Sequence, residues 1–146
     1  MQVKFQRIKE GAVVPVYGTE YSAGADLTAC VDQPLMIKPG NTGIVPTGIA
    51  VEITIGFFGM LCPRSGLAAK YGLTLLNSPG IIDSDYRGEM RAILINHSDE
   101  SFYVENGMRI AQLIIVPFQK AKFVESNELM ATIRGSNGFG STGIRG

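Results

Sequence analysis

The sequence predicts an all-β fold, a distorted jelly roll or β-sandwich with one short helix, on three observations. Eighteen glycines and seven prolines punctuate the 146 residues, a density that closes short strands with turns. Between them lie brief β-branched runs: Val3–Ile8, Leu35–Ile37, Thr42–Val45, Ile49–Ile55, Gly59–Leu61, Ala92–Asn96, Phe102–Val104, Arg109–Val116 and Lys122–Val124. Only Ser65–Tyr71 reads as helical, and it is about two turns long. Many short strands with one small helix suit a closed or double-layered β architecture.

Two runs carry more detail. Ile49, Val51, Ile53 and Ile55 alternate with Ala50, Glu52 and Thr54, the period of a half-buried strand. In Arg109–Val116 the apolar residues Ile110, Ala111, Leu113, Ile114, Ile115 and Val116 are too continuous for a strand with one wet face. That strand is expected to be buried on both sides, in the core or against another subunit. Open β-edges also need cover, so a symmetric oligomer exchanging terminal segments is expected.

The whole chain, 1–146, suits one domain, burying roughly two-thirds of its unfolded surface. Thirteen basic residues balance thirteen acidic ones, and without a basic run no nucleic-acid partner is expected. No stretch approaches the ~20 apolar residues of a membrane span. The first ten residues carry charges but no apolar core, which predicts no signal peptide. Cys30 and Cys62 sit in apolar surroundings and are expected as buried, reduced thiols, hence a cytoplasmic protein. The sole histidine, His97, falls in the turn ending a strand, so neither a zinc site nor a histidine-activated nucleophile is expected. A metal should be a hard ion on oxygens, such as Mg²⁺ arriving with phosphates.

Chemistry-bearing residues gather in the turns. Asp26 follows Gly24 at the start of a strand. In Pro63-Arg64-Ser65-Gly66 the proline stops a strand and Ser65 could cap the helix, giving an anion site beside a guanidinium. Asn77 to Gly88 reads as a tight hairpin with an apolar middle, Ile81-Ile82. Asn77 could read a base edge, Tyr86 offers a ring, and Asp83 is expected to be partly buried with a raised pKa, suited to deprotonating water. Asp85 is expected to be structural. Gln112, inside an apolar run, needs a partner, either core or phosphate.

The segment 134–146 holds G-x-G-x-x-G at Gly138–Gly143, yet only three residues follow, so no helix receives a pyrophosphate. It reads instead as a flexible lid: backbone N–H groups and Arg134 for oxygens, Phe139 for stacking. A plain disordered glycine–serine tail is the alternative. No lysine-bearing phosphate loop is present, so this is not a P-loop enzyme. The set is equipped for water attack on a metal-bound nucleoside phosphate, where positioning and charge stabilisation do most of the catalysis.

Five motifs stand in order: Ala23-Gly-Ala-Asp26-Leu27, Pro63–Ala68, Asn77–Gly88, Gly107–Gln112 and Arg134–Gly143. At these residues, across almost its whole length, the chain closely resembles the trimeric dUTP pyrophosphatase (dUTPase) family. The resemblance implies a jelly-roll homotrimer exchanging C-terminal segments, with active sites shared between subunits. It implies a dUTP diphosphatase giving dUMP and pyrophosphate with Mg²⁺, limiting uracil in DNA and supplying dUMP for thymidylate synthesis. Asp83 would orient the attacking water as general base. Asn77 and the backbone at Ile81 and Ile82 would hold uracil, with Tyr86 beneath the sugar. Arg64, Ser65, Gly66 and Gln112 would bind phosphates, assisted by Arg91, and Asp26 would hold Mg²⁺ through water. Arg134, Ser141 and Thr142 would grip the γ-phosphate while Phe139 stacks on the base, and Gly140 would also bind substrate. Met108 stands where an acid is usual, with little loss expected. The alternatives are a dCTP deaminase or bifunctional deaminase–dUTPase of the same fold, or a nucleotide-binding module without turnover.

Overall fold

Alternation of side chains decides what each strand buries, and β9 (Glu89–Asn96) shows it most cleanly. Met90, Ala92, Leu94 and Asn96 point into the core, while Glu89, Arg91, Ile93 and Ile95 face outward. The computed structural model describes residues 1–138. The other strands are β1 (Lys4–Arg7), β2 (Val16–Tyr17), β3 (Ala25–Thr28), β4 (Leu35–Ile37), β5 (Thr42–Glu52) and β6 (Phe57–Cys62), then β7 (Leu73–Leu75), β8 (Gly80–Ile82), β10 (Phe102–Val104) and β11 (Arg109–Pro117). The helix α1 is Ser65–Tyr71.

The strands form a four-stranded sheet, β1-β5-β9-β7, a five-stranded sheet, β2-β3-β11-β6-β8, and the pair β10-β4. Every pairing is antiparallel. One apolar cluster joins all three: Leu27, Leu61 and Leu113 from the five-stranded sheet, Ile49, Met90 and Leu94 from the four-stranded sheet, Ile37 and Val104 from the pair. This is the all-β sandwich expected. Shortening a fully buried member such as Leu94 to alanine would cost about 2–5 kcal/mol.

Several strands depart from the runs in the sequence. The two runs Thr42–Val45 and Ile49–Ile55 are one strand, β5, whose register with β9 shifts between Pro46 and Ala50. That irregularity accommodates the proline, which cannot donate to the ladder. Gly48 sits in it at φ +67, and a Cβ there would come within 2.7 Å of the Ala12 Cβ. The strand then ends at Glu52, leaving Ile55 89% exposed rather than on a buried face. Lys122–Val124 is not a strand, with Phe123 and Val124 exposed and no partner within the described residues. The strands β2 and β7 lie outside the runs in the sequence, being too short to show a period, β8 lies inside the segment read as a hairpin, and β3 is the strand expected to begin near Asp26.

β11 lies at the centre of the five-stranded sheet. Its first half fits the two-sided burial expected, with Ile110, Ala111 and Leu113 buried, whereas Ile114, Ile115 and Val116 are only half-covered in this chain. Cys30 is buried as expected, but Cys62, at the end of β6, is half-buried. His97 is exposed just after β9, as read. Beside it Asn96 is fully buried and satisfied, its Nδ2 donating to the carbonyls of Ile37 (2.9 Å) and Glu100 (2.7 Å). Among the described residues no helix is long and apolar enough to cross a membrane.

Candidate active site

Sheet register assembles the first cleft. Gln112 on β11 lies opposite Asp26 on β3 and, on its other side, opposite Cys62 at the end of β6. Two residues beyond Cys62 the chain reaches Arg64, so three strands deliver Asp26, Gln112 and Arg64 to one end of the sheet. Asp26, Arg64, Ser65, Gly66 and Gln112 then line a cleft of ≈ 460 Å³. The sequence reading predicted all five.

Asp26 is the hub of that cleft. Its Oδ1 accepts from Arg64 Nε at 2.9 Å and its Oδ2 from Arg109 Nη1 at 3.2 Å. Arg64 Nη1 also donates to the Arg109 carbonyl at 3.3 Å. The Asp26 side chain is only 15% exposed, so the pairing compensates its desolvation. Two guanidiniums against one carboxylate leave the cleft net positive, as an anion site requires. Gln112 Nε2 donates to the Pro63 carbonyl at 3.1 Å. A Cβ on Gly24 would lie 2.8 Å from Gln112 Oε1, so the glycine leaves room for the amide.

Two expectations change here. Ser65 does not cap α1: Arg64 occupies the N-cap position and no side chain makes a capping bond. Arg109 lines the cleft and was missed as a site residue. Asp26 is the one carboxylate lining this cleft, and among the described residues no cluster of three or more His, Cys, Asp or Glu could hold a metal ion. Such a donor set fits a hard cation whose other ligands are phosphate oxygens and water, not a cage made of protein.

A second cleft of ≈ 440 Å³ is lined by Ile81, Ile82, Asp83, Tyr86, Glu89 and Arg91, with Ile44 and Ile93 as its floor. The segment 77–88 is not a self-paired hairpin: β8 pairs with β6, and the chain then crosses to β9 in the other sheet. The crossing sets Asp83 and Tyr86 at the join, where the Tyr86 N–H donates to the Asp83 carbonyl at 3.1 Å. The Tyr86 hydroxyl donates to the Glu89 carbonyl at 3.0 Å. A Cβ on Gly88 would overlap the hydroxyl end of the tyrosine ring, so a larger residue there would have to displace the ring.

Asp83 is exposed in the single chain, contrary to the partial burial expected, because β8 ends the sheet and nothing among the described residues covers the turn. Asp85 is exposed as well. Asn77 is exposed and outside the cleft lining; its Nδ2 lies 3.3 Å from where a Gly80 Cβ would be. Arg91 joins Asp83 and Tyr86 in this second cleft, not the first. Arg134 is exposed, its Nε donating to the Asn137 carbonyl at 3.0 Å. Phe139, Gly140, Ser141 and Thr142 lie outside the described residues.

The two clefts share no lining residue. One is cationic and polar; the other combines isoleucines and a tyrosine ring with two carboxylates and an arginine. An all-β sandwich thus carries a cationic cleft suited to an anion and, apart from it, a cleft of isoleucines beside a tyrosine, features that suit a nucleotide-binding class of protein. Its family model is the dUTPase model, matched over residues 10–143. The chain belongs to the dUTPase family. It is 51% identical over 144 residues to the deoxyuridine 5'-triphosphate nucleotidohydrolase of Rickettsia massiliae (strain Mtu5), covering 98% of this chain and 97% of that protein. The dUTPase of Staphylococcus bacteriophage 80alpha, solved as a point mutant with dUpNHpp, superposes with TM-score 0.89 at 25% identity, covering 98% of this chain and 99% of that one. A point mutant of the dUTPase from S. aureus phage phi11, described as coordinating a structural Mg(II) ion, shares the fold at TM-score 0.81 and 21% identity, covering 90% of this chain and 100% of that one.

Proposed function

We propose that this chain hydrolyses dUTP to dUMP and pyrophosphate. The observation that carries the reading is the convergence of three separated motifs on the cationic cleft, through Asp26, Arg64 and Gln112. Arg64, Ser65, Gly66 and Gln112 bind the phosphate chain, and Arg109 holds Asp26 against Arg64. Ile81, Ile82 and Asn77 hold uracil, and Tyr86 packs under the deoxyribose, leaving no room for a 2′-hydroxyl. Asp83 takes a proton from water as its oxygen attacks the α-phosphorus. The bond from that phosphorus to the bridging oxygen breaks, and pyrophosphate leaves. Arg134 and the segment that follows it close over the phosphates and exclude bulk water.

Asp26 would hold Mg²⁺ through water. When bound, the ion neutralises phosphate charge that develops on the leaving group. The active unit is a homotrimer in which the cationic cleft of one chain faces the base pocket of a neighbour. Two facts support that assembly: the clefts share no lining residue, and residues after β11 expose Phe123, Leu129, Met130 and Ile133 at 85% or more. An apolar segment so bare needs a partner chain. Trimer assembly would also bury Asp83 and supply the desolvation the lone chain lacks. Two free thiols are in keeping with a cytoplasmic enzyme of nucleotide metabolism.

The test is pyrophosphate release with Mg²⁺ from dUTP, dTTP, dCTP and UTP, with Asp83→Asn alongside. Release from dUTP alone, lowered roughly 10²–10⁴-fold in the variant, is the expected result. Binding of dUTP without release would make the protein a nucleotide-holding module, and ammonia from dCTP would make it a deaminase.

A further inference from the structure

We infer that Glu89 is a positioning residue for the base-side cleft, a role that rests on the dUTP reading above. Its side chain is only 13% exposed, and both carboxylate oxygens are engaged. Oε1 accepts the Gly48 backbone N–H at 2.8 Å, and Oε2 accepts Arg91 Nε at 2.7 Å. The backbone carbonyl of the same residue accepts the Tyr86 hydroxyl at 3.0 Å. One residue thus fixes two of the polar side chains that line the cleft, Tyr86 and Arg91, and ties them to a single point.

That point is rigid. Gly48 sits in the irregular stretch of β5 at φ +67, with no room for a Cβ against Ala12, Lys9 and Cys30. Its neighbour Thr47 is fully buried and donates to the Met90 carbonyl at 2.7 Å, next to Glu89 on β9. An immobile N–H therefore aims the carboxylate, and the carboxylate aims the guanidinium. Arg91 itself is 59% exposed, so without Glu89 its many rotamers would have to be frozen each time substrate binds. The bond uses Nε, the inner nitrogen of the fork, and leaves the outer Nη1 and Nη2 as donors toward substrate.

Glu89→Gln separates this role from simple support of the strand. The glutamine oxygen still accepts from Gly48, but its amide then turns a donor toward Arg91 Nε, also a donor. The full-length enzyme is assayed for pyrophosphate release from dUTP in four forms: wild type, E89Q, R91Q and the double variant. Thermal unfolding is followed in parallel. The expected result is a KM for E89Q raised about 3- to 10-fold with kcat within about 2-fold, and no further rise when E89Q is added to R91Q. Glu89→Asp, which keeps the charge, should recover part of the loss. An equal rise in KM in both backgrounds, tracking a fall in Tm, would overturn the role and leave Glu89 as a strut for β5. A wild-type enzyme inert toward dUTP would overturn the underlying reading instead.

Discussion

Asp26 and Arg64 are thirty-eight residues apart in sequence and 2.9 Å apart in space, Oδ1 to Nε, with side chains 15% and 25% exposed. The pair joins β3 to the start of α1 and turns a guanidinium toward the cleft. Asp26→Asn leaves two arginines facing each other across a neutral amide. Partial burial puts the expected loss of stability at about 1–3 kcal/mol, below that of a fully buried pair. Because Asp26 is also the proposed Mg²⁺ anchor, the Mg²⁺ concentration for half-maximal turnover should rise in the same variant. Unchanged Mg²⁺ dependence, measured by titration at saturating dUTP, would remove Asp26 from metal binding.

Gly88 would act on specificity through Tyr86, the proposed sugar gate. A methyl group there overlaps the tyrosine ring, so Gly88→Ala must displace it. We expect kcat/KM for dUTP to fall about 10- to 100-fold, while discrimination against UTP narrows, since the ring no longer blocks the 2′ position. If UTP were still rejected as strongly, the ring would not be the sugar gate.

Residues 134–146 are the proposed lid, and truncation tests that role. Truncation after Ala131 should cut turnover by about 10²-fold or more, as when one set of charge-stabilising donors is lost. The trimer should persist by sedimentation, because Phe123, Leu129 and Met130 remain. Dissociation to monomers on truncation would instead assign the tail to assembly.

Lys9 gives the one alkaline signature. The hydrogen bond to Asp32 raises its pKa above the ordinary lysine value, against an opposing desolvation. A raised folded pKa stabilises the protein fully below the unfolded lysine value, and that stability is lost as pH rises through the folded one. Lys9 also donates to the Cys30 carbonyl at 3.3 Å. Lys9→Met should therefore flatten the alkaline end of the stability-against-pH curve. A curve of unchanged shape would mean that the ion pair contributes nothing in solution.

How far the sequence was legible follows from what kind of signal each feature leaves. Ser65–Tyr71, Leu35–Ile37 and Phe102–Val104 were read to the residue, because a proline, glycine or turn cluster marks their ends. Part of the cationic cleft was readable for the same reason: Arg64 follows the proline that ends β6, and Asp26 stands beside Gly24 near the start of β3. β8 was not readable as a strand of the five-stranded sheet, since Gly80-Ile-Ile carries no period and its partner is β6. The burial of Asp83 was misjudged because two preceding isoleucines say nothing about whether the sheet edge beyond them is covered. Arg109 and Glu89 escaped notice for a different reason: their work is to hold other side chains, and a holding role shows only when distances are known.

The separation of the two clefts has a genetic consequence. In a shared-site trimer, a chain damaged at Arg64 still offers its neighbour a sound base pocket, and a chain damaged at Asp83 still offers a sound phosphate cleft. Two alleles, each silent alone, would complement when co-expressed, because some interfaces in the mixed assemblies pair the intact half of each.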